Sequence, residues 1–221
     1  MIDMIYDNNI LPEGMCAIGR DIYQHTSNSP ASLAVRNRRK IASHLLAELM
    51  KQKKNADILS VASGHCREVD LMCPDVMSFS SWECLDSDKD SVEYSTSRYA
   101  SSGMLPMHGS VKSILSSKDN KRYDFIYTLG LYDYLEQRLA QRLTSKMFSM
   151  LKPGGKVLIA NFVPEIPDVG YMEACMDWYL VYRTDGVMQD LLAEIHVCEI
   201  KNVNIFTEDE KNIVFLLAEK V

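Results

Sequence analysis

The chain has 221 residues, a formal net charge of −6 and a hydrophobic fraction of 47%. This length and composition predict one globular domain, and the acidic balance excludes the basic footprint of a general nucleic-acid or membrane-surface binder. No apolar stretch reaches the ~18 residues of a membrane span, and residues 1–9 lack the features of a secretory signal, so we expect a cytoplasmic protein.

The predicted elements alternate between helices and strands from residue 30 onward. Apolar residues at helical spacing after Ser29 and Pro30 predict a helix over residues 30–54. Strands are predicted at residues 58–62, 79–85, 104–108, 123–129 and 156–161. Helices are predicted from residue 67 onward and at 90–99, 111–116 and 136–151, the last ending at a turn over residues 152–155. This alternation indicates a parallel sheet with helices on both faces.

The last two predicted strands have a different connection. Residues 195–204 and 213–218 are separated by a polar link over residues 206–212. A parallel connection needs a dozen or more residues, so these strands should pair as an antiparallel hairpin. The chain therefore divides into a helical N-terminal part, residues 1–55, and an α/β core, residues 56–221, within one domain.

A turn of small residues after the first strand predicts a nucleoside site. Ser63, Gly64 and His65 stand where a dinucleotide fingerprint has G-x-G, so Gly64 is the one glycine of these three residues. Asp86 ends the next strand, at roughly the 20-residue offset at which a Rossmann-type unit places an acid against ribose hydroxyls. Because a pyrophosphate needs the close approach that the missing glycines give, the turn disfavours a dinucleotide cofactor.

The strand order resembles that of the class I S-adenosylmethionine (SAM)-dependent methyltransferases. The resemblance is carried by residues 58–68, Asp86, residues 123–130 and residues 151–159. It implies a Rossmann-like, doubly wound α/β fold with seven strands, an antiparallel terminal hairpin and N-terminal helices, with SAM as the cofactor. Ser63 and His65 depart from the small-residue trio of such proteins.

A narrower resemblance concerns the acceptor. Residues 34–39, 130–135, 160–164 and 171–183 are similar to bacterial proteins labelled as extracellular-factor 3-hydroxypalmitic acid methyl ester biosynthesis proteins. It implies methylation of a carboxylate, so our first expectation is a fatty or other organic acid as the small-molecule substrate. Small-molecule N- or O-methylation is the alternative, and a non-catalytic SAM-binding or scaffold protein is a lesser one. An NAD-dependent oxidoreductase is disfavoured by the broken glycine pattern.

The expected cofactor-binding residues follow the ends of the predicted strands, and their roles come partly from the resemblance. Asp86 would accept from the ribose, with Asp88 as a second candidate, while Asp90 is expected to cap or open the next helix. The full set is Ala62, Ser63, Gly64, His65, Glu68, Asp86, Ser87, Gly109, Ser110, Val111, Thr128, Leu129 and Gly130.

The acceptor is expected beside Tyr132, Asp133 and Tyr134, which follow the fourth strand at the sheet edge where ligands bind. A carboxylate acceptor is already ionised and needs only a cation or donors, whereas an amine would require Asp133 or Glu173 as a base. The expected substrate-binding residues are Arg36, Arg38, Asn161, Tyr171, Met172, Trp178 and Arg183. Arg36 and Arg38 could equally bind the SAM carboxylate or form a solvated helix face.

Cysteines and histidines give no metal signal. The six cysteines include no C-x-x-C pair and the five histidines include no pair at ligand spacing, so we assign no metal. The cysteines are expected to be small buried hydrophobic residues. The protein is expected to be a monomer or homodimer.

Overall fold

The computed structural model describes residues 2–7, 11, 14–74 and 77–221. Its helices are α1 (Ile2–Tyr6), α2 (Ala17–Ser27), α3 (Pro30–Gln52), α4 (Lys89–Arg98), α5 (Val111–Ser116), α6 (Gln137–Ser149), α7 (Val169–Met176) and α8 (Asp185–Gln189). Its strands are β1 (Ala56–Val61), β2 (Phe79–Asp86), β3 (Met104–His108), β4 (Tyr123–Thr128), β5 (Leu151–Phe162), β6 (Ile200–Thr207) and β7 (Ile213–Lys220).

The seven strands form one sheet in the order β3-β2-β1-β4-β5-β7-β6. Strands β1 to β5 pair in parallel, and β7 runs antiparallel to both β5 and β6. The predicted Rossmann-like α/β fold with N-terminal helices and a closing antiparallel hairpin is therefore confirmed. The carboxyl ends of β1, β2 and β4 meet at one edge, which is where this class of sheet binds ligands.

Helices cover both faces of the sheet. Helix α3 begins with Pro30 in its first turn, a position where the missing N–H costs nothing. Its Val35 and Leu46 belong to the same buried core cluster as Trp82, while Leu143 of α6 belongs to the cluster on the opposite face. Each fully buried side chain of this size contributes roughly 1.5–3 kcal/mol to folding. No helix among the described residues is both long and apolar enough to cross a bilayer.

The segment after β1 corrects one predicted element. The pattern predicts a helix from residue 67 onward, but the described residues between β1 and β2 form no α-helix and include the 3₁₀ turn Val69–Leu71. Cys66, three residues before this turn, has φ +49, so no helix extends through residue 66. This turn therefore does not lead into the N-terminal amides of a regular helix.

The stretch over residues 152–155 corrects a second element. It was expected to separate α6 from a strand, but it lies inside β5, which begins at Leu151. Gly154 takes φ +75, and a Cβ on Gly155 would lie 2.9 Å from the carbonyl oxygens of Lys152 and Tyr123. The glycines thus allow an irregular start to the strand. At the other end of the sheet, β6 begins at Ile200, because residues 190–199 include two 3₁₀ turns.

Candidate functional site

A cavity of about 540 Å³ lies at the carboxyl ends of β1, β2 and β4. This volume falls within the range of small-molecule sites, about 300–1,000 Å³. Of the residues predicted to bind a cofactor, eight line it: Ala62, Ser63, Gly64, His65, Glu68, Asp86, Leu129 and Gly130. The cavity also brings Arg38, Asp133, Tyr134 and Trp178 to the same space.

The turn after β1 forms one wall of the cavity. Ala62, Gly64 and Cys66 have φ values of +52, +52 and +49. The left-handed conformations therefore occur at every second residue of the turn. They do not occur at Ser63 or His65, the two positions where the dinucleotide fingerprint has glycine. A Cβ added at Gly64 would meet nothing within 4 Å, so the space above this residue is open.

Asp86 connects the end of β2 to this turn. Its Oδ2 accepts from the Gly64 amide at 2.6 Å and its Oδ1 accepts from the Asp88 amide at 2.9 Å. A carboxylate oxygen has two acceptor positions, so each retains capacity for a ligand hydroxyl. Two backbone amides therefore fix the orientation of Asp86 at the cavity.

Asp88 caps helix α4. Its carboxylate accepts from the Ser91 hydroxyl at 2.6 Å and from the amides of Ser91 and Asp90 at 3.2 and 3.3 Å. The Ser91 hydroxyl is the main cause that holds the pKa of Asp88 below its ordinary value. Asp90 lies in the first turn, as expected. Asp88, the second ribose candidate, therefore caps α4 and also lines the cavity.

Helix α1 forms part of the cavity wall, a role that the sequence did not predict. Asp3 is hydrogen-bonded to Nδ1 of His65 and accepts from Arg67 Nη1 at 3.0 Å. Arg67 also pairs with Asp7 and Asp70.

The His65 ring stacks on Tyr94, with ring centroids 4.0 Å apart. These contacts attach α1 to the turn after β1, and Ile2, Asp3 and Tyr6 line the cavity.

Arg38 and Asp133 face each other at the end of the cavity beside β4. Arg38 Nη1 lies 3.6 Å from Asp133 Oδ2, and the two residues are only 4% and 2% exposed. Asp133 Oδ1 accepts from the Phe162 amide at 2.8 Å. Burial raises the pKa of Asp133 to about 6, against the opposing effect of Arg38. Among the described residues, Arg38 Nε and Nη1 are buried without a hydrogen-bond partner.

Tyr134 and Trp178 lie next to this pair. The Trp178 indole N–H donates to the Tyr134 hydroxyl at 2.7 Å, and the Trp178 ring packs edge-on against Phe162. Tyr134 is 59% exposed, so it lies at the mouth of the cavity. The Val181 amide donates to the Asp133 carbonyl at 2.7 Å, which joins the segment after α7 to the same place.

Glu68 is a buried carboxyl group that lines the cavity. It is 4% exposed and accepts a hydrogen bond from the Tyr127 hydroxyl. Burial raises its pKa above the ordinary glutamate value, and the Tyr127 hydrogen bond opposes that shift. Its neighbour Cys66 is also buried and also lines the cavity.

Several predicted cofactor residues lie outside the cavity lining: Ser87, Gly109, Ser110, Val111 and Thr128. Their contacts give some of them other roles. A Cβ on Gly109 would lie 2.6 Å from Leu85 Cδ1, so a larger residue there would displace the Leu85 side chain. Ser110 forms a capping box with Ser113 at the start of α5.

Tyr132 and Arg183 correct the prediction most clearly. Tyr132 is fully buried, and its hydroxyl shares a hydrogen bond with Thr144 at 2.7 Å on the face of the sheet covered by α6. The Arg183 guanidinium is 1% exposed. It donates to the carbonyls of Tyr132 and Leu135, to Asn161 Oδ1 and to Gln137 Oε1. Tyr132, Asn161 and Arg183 therefore form a structural network that does not reach the cavity.

Arg36 is also occupied elsewhere. Its Nη1 donates to the carbonyls of Ile5 and Ser27 at 2.9 and 2.6 Å, which joins α1 and α2 to α3. Of the two arginines left open by the sequence, only Arg38 lines the cavity.

The remaining predicted substrate residues lie at a second cavity of about 120 Å³. Tyr171 and Met172 line it, and Trp178 lines both cavities. Trp178 therefore lies between the main cavity and the second cavity.

Further residues line the main cavity. Ser60, Cys66, Arg67 and Ser91 line it without being among the predicted site residues, and Leu131 lines it too. Cys66 and Cys84 are buried as expected, whereas Cys16, Cys73, Cys175 and Cys198 are exposed. In the part of the chain that the structure describes, no three His, Cys, Asp or Glu side chains are grouped to hold a metal ion.

The fold is similar to that of several solved structures. A possible exported protein from Bordetella parapertussis has a TM-score of 0.74 at 15% identity, over 99% of this chain and 79% of that chain. The magnesium protoporphyrin IX methyltransferase from Synechocystis, solved with bound S-adenosylhomocysteine (SAH), has a TM-score of 0.63 at 9% identity, over 99% and 92%. The N-methyltransferase NodS from Bradyrhizobium japonicum has a TM-score of 0.56 at 14% identity, over 83% and 96%.

No family model matches the chain, and no curated protein sequence matches it. At these low identities the likeness shows the fold alone.

Proposed function

We propose that this protein is a SAM-dependent methyltransferase that acts on the carboxylate of a small organic acid. The observation that carries the proposal is the buried Arg38, whose Nε and Nη1 have no hydrogen-bond partner among the described residues. Arg38 lies at the cavity beside Gly130 and Asp133, at the carboxyl end of β4. The guanidinium is paired with Asp133 only at 3.6 Å, and a buried cation with so long an ion pair favours an anionic ligand group.

The residues at the other end of the cavity fit SAM. Asp86 would accept from the ribose hydroxyls, and the turn from Ala62 to His65 would place backbone next to the methionine portion. The open space above Gly64 is compatible with a ligand at that position. SAM, when bound, supplies an electrophilic methyl group. Two of the similar structures, those from Synechocystis and Bradyrhizobium, are of methyltransferases.

A carboxylate acceptor would need orientation and no base. It is ionised at neutral pH, so the donors of Arg38 would hold it while Tyr134 and Trp178 exclude water on one side. Positioning of the nucleophile against the methyl group then accounts for most of the expected rate enhancement.

A hydroxyl or amine acceptor is the second candidate, and Asp133 is the observation that favours it. Its pKa is raised to about 6, so it is mostly ionised at pH 7 and has an affinity for protons suited to general-base catalysis. Glu173, the other base considered, does not line the main cavity. The cytoplasmic location and the monomeric or homodimeric state stay predictions.

Isothermal titration calorimetry with SAM tests the cofactor. We expect the wild type to bind, and Asp86→Ala to weaken binding by about 10- to 100-fold, the range for removal of a hydrogen-bonded carboxylate. The matched control is Asp90→Ala, an exposed aspartate in the first turn of α4. Absence of SAM binding, or undiminished binding by Asp86→Ala, would refute the proposal.

Incubation with methyl-labelled SAM tests the acceptor. The protein would be offered a panel of short- and long-chain organic acids together with matched alcohols and amines. Label recovered as methyl esters supports the carboxylate. Label recovered only on alcohols or amines would reject it in favour of the second candidate.

A further inference from the structure

The second cavity, of about 120 Å³, lies among helices α1, α2, α3 and α7 and is mostly apolar. Its apolar lining comprises Met4, Ile5, Ala31, Met172, Met176 and Trp178. Trp178 also lines the main cavity, where it donates to the Tyr134 hydroxyl. The small cavity is therefore adjacent to the acceptor end of the main cavity.

One polar group in the small cavity has no protein partner. Ser27 lines it and is 3% exposed, and its Oγ has no hydrogen-bond partner among the described residues. A buried hydroxyl in that state is destabilising. An oxygen on a bound molecule would satisfy it, which makes Ser27 a candidate ligand contact.

The charge of the lining limits which chemical groups the small cavity can bind. Asp168 is the only charged residue that lines the small cavity in the described part of the chain. Its Oδ2 accepts from the Ala31 amide at 2.7 Å, so one oxygen is already engaged. An anionic group would be repelled by Asp168, and no cation lies there to hold one. The apolar lining favours an uncharged group.

The volume limits the ligand further. An apolar protein cavity of about 150 Å³ holds benzene, so about 120 Å³ holds roughly five carbon atoms by the same measure. A long acyl chain exceeds this space. Methionines, which adapt to irregular shapes, form part of the wall and suit a flexible alkyl group.

We infer that the small cavity binds a short, uncharged, largely apolar arm of the methyl acceptor. The arm carries an oxygen that contacts Ser27, and the reacting group lies in the main cavity beside Arg38 and Tyr134. Trp178 separates the two parts of the substrate. This inference rests on the proposed function, since an acceptor arm has meaning only if the main cavity transfers a methyl group.

Binding of straight-chain 1-alkanols, from ethanol to octanol, tests the inference on the full-length protein with and without SAH. Their uncharged head group makes the measurement independent of the acceptor's reacting group. Protein-detected NMR titrations should show affinity rising about fourfold per methylene, the factor for burying one CH₂. The rise should stop near pentanol, when the cavity is full.

Two variants of adjacent residues on α7 control the location. Met176→Trp places an indole in the cavity and should abolish the dependence on chain length. Cys175→Trp puts the same side chain on an exposed neighbour that lines neither cavity, and it should leave the dependence intact. A flat series in the wild type, or equal effects of the two variants, would overturn the inference.

Ser27→Ala tests the hydroxyl contact. The ligands are 1-pentanol and 3-methoxy-1-propanol, which have the same number of heavy atoms but differ by one oxygen. The variant should weaken binding of 3-methoxy-1-propanol about 2- to 10-fold relative to binding of 1-pentanol. If the ratio of the two affinities were the same in the variant and the wild type, Ser27 would not contact the bound ligand.

SAM calorimetry separates this inference from the function on which it rests. A protein that binds SAM but shows no chain-length dependence would refute the acceptor-arm inference alone. A protein that takes up the alkanols but not SAM would refute the methyltransferase proposal and, with it, the assignment of the ligand as an acceptor arm.

Discussion

The two ends of the main cavity are built in different ways. At the end where we propose that the cofactor binds, the cofactor end, loops after the strands supply the lining groups, and the backbone amides of Gly64 and Asp88 fix Asp86. At the end where we propose that the acceptor binds, the acceptor end, the lining groups include buried charged side chains, and Arg38 and Trp178 lie outside the sheet. The cofactor end therefore follows from the fold itself, whereas the acceptor end can change its chemistry without any change in the sheet.

Loss of Arg183 should break the acceptor end most severely. Arg183→Met would leave the carbonyls of Tyr132 and Leu135 and the Asn161 amide oxygen without their buried donor. Removing one partner from such a network costs about 3–5 kcal/mol. Urea denaturation monitored by circular dichroism measures this free energy of unfolding.

The matched control is Arg122→Met, whose side chain is exposed and donates only to the adjacent Lys121 carbonyl. It should change the free energy of unfolding by less than about 0.5 kcal/mol. If the two variants were equally stable, the network would not be what holds this end of the cavity together.

Asp133 should give the acceptor end a pH dependence of stability. Its pKa is raised to about 6, so between the unfolded value and pH 6 the native state binds a proton that the unfolded chain has released. Protonation of Asp133 therefore adds up to roughly 3 kcal/mol to the free energy of unfolding. This stabilisation is fully present below about pH 4 and is lost as the pH rises through 6. Asp133→Asn should remove that slope in urea denaturation curves from pH 4 to 7.

The control for this prediction is Asp185→Asn, an exposed residue in the first turn of α8. It should retain the wild-type slope. Activity adds a second readout, because transfer to an amine or hydroxyl should rise through pH 6 if Asp133 is the base. Transfer to a carboxylate should show no such rise, so a flat profile favours the first candidate function.

The difference between the two ends also explains what the sequence could predict. Asp86 and Asp133 were identified because both follow strand ends, and strand ends are determined by apolar periodicity and turns. Residues 104–108 and 111–116 were predicted with the bounds that the structure has. For these residues, the position relative to the sheet was sufficient to predict where they lie.

Residues outside the sheet could not be predicted in the same way. Arg38 and Arg183 are the same residue type, and only their contacts in the folded chain show that Arg38 faces the cavity and Arg183 a protein network. Helix α1 has five residues, too few for a periodic signal. Its place over the cavity depends on ion pairs between residues about 60 positions apart, such as that of Arg67 with Asp3.

Arg38→Lys should separate the two ends in a binding experiment. Lysine keeps the positive charge beside Asp133 but lacks the planar fork of donors. We expect the KM for the acid found in the labelled-SAM panel to rise about tenfold while the Kd for SAM changes less than twofold. Arg36→Lys is the control, because Arg36 donates to two carbonyls and does not line the cavity. A weaker SAM Kd with an unchanged KM would instead assign Arg38 to the cofactor.

The smallest expected effect belongs to the turn at the cofactor end. Ala62 has φ +52, a conformation that costs a residue with a Cβ about 1–2 kcal/mol. Ala62→Gly removes that cost but adds backbone entropy to the unfolded chain, so the net gain should be about 0.5–1 kcal/mol. Ser63→Gly, next along the turn at a residue without positive φ, should lower stability instead. Opposite signs in thermal denaturation of the two variants would show that the alternating left-handed positions, and not the missing glycines at 63 and 65, determine the backbone of this turn. If both variants lost stability, the strain at Ala62 would be offset by contacts of its methyl group, and the turn would be shaped by packing.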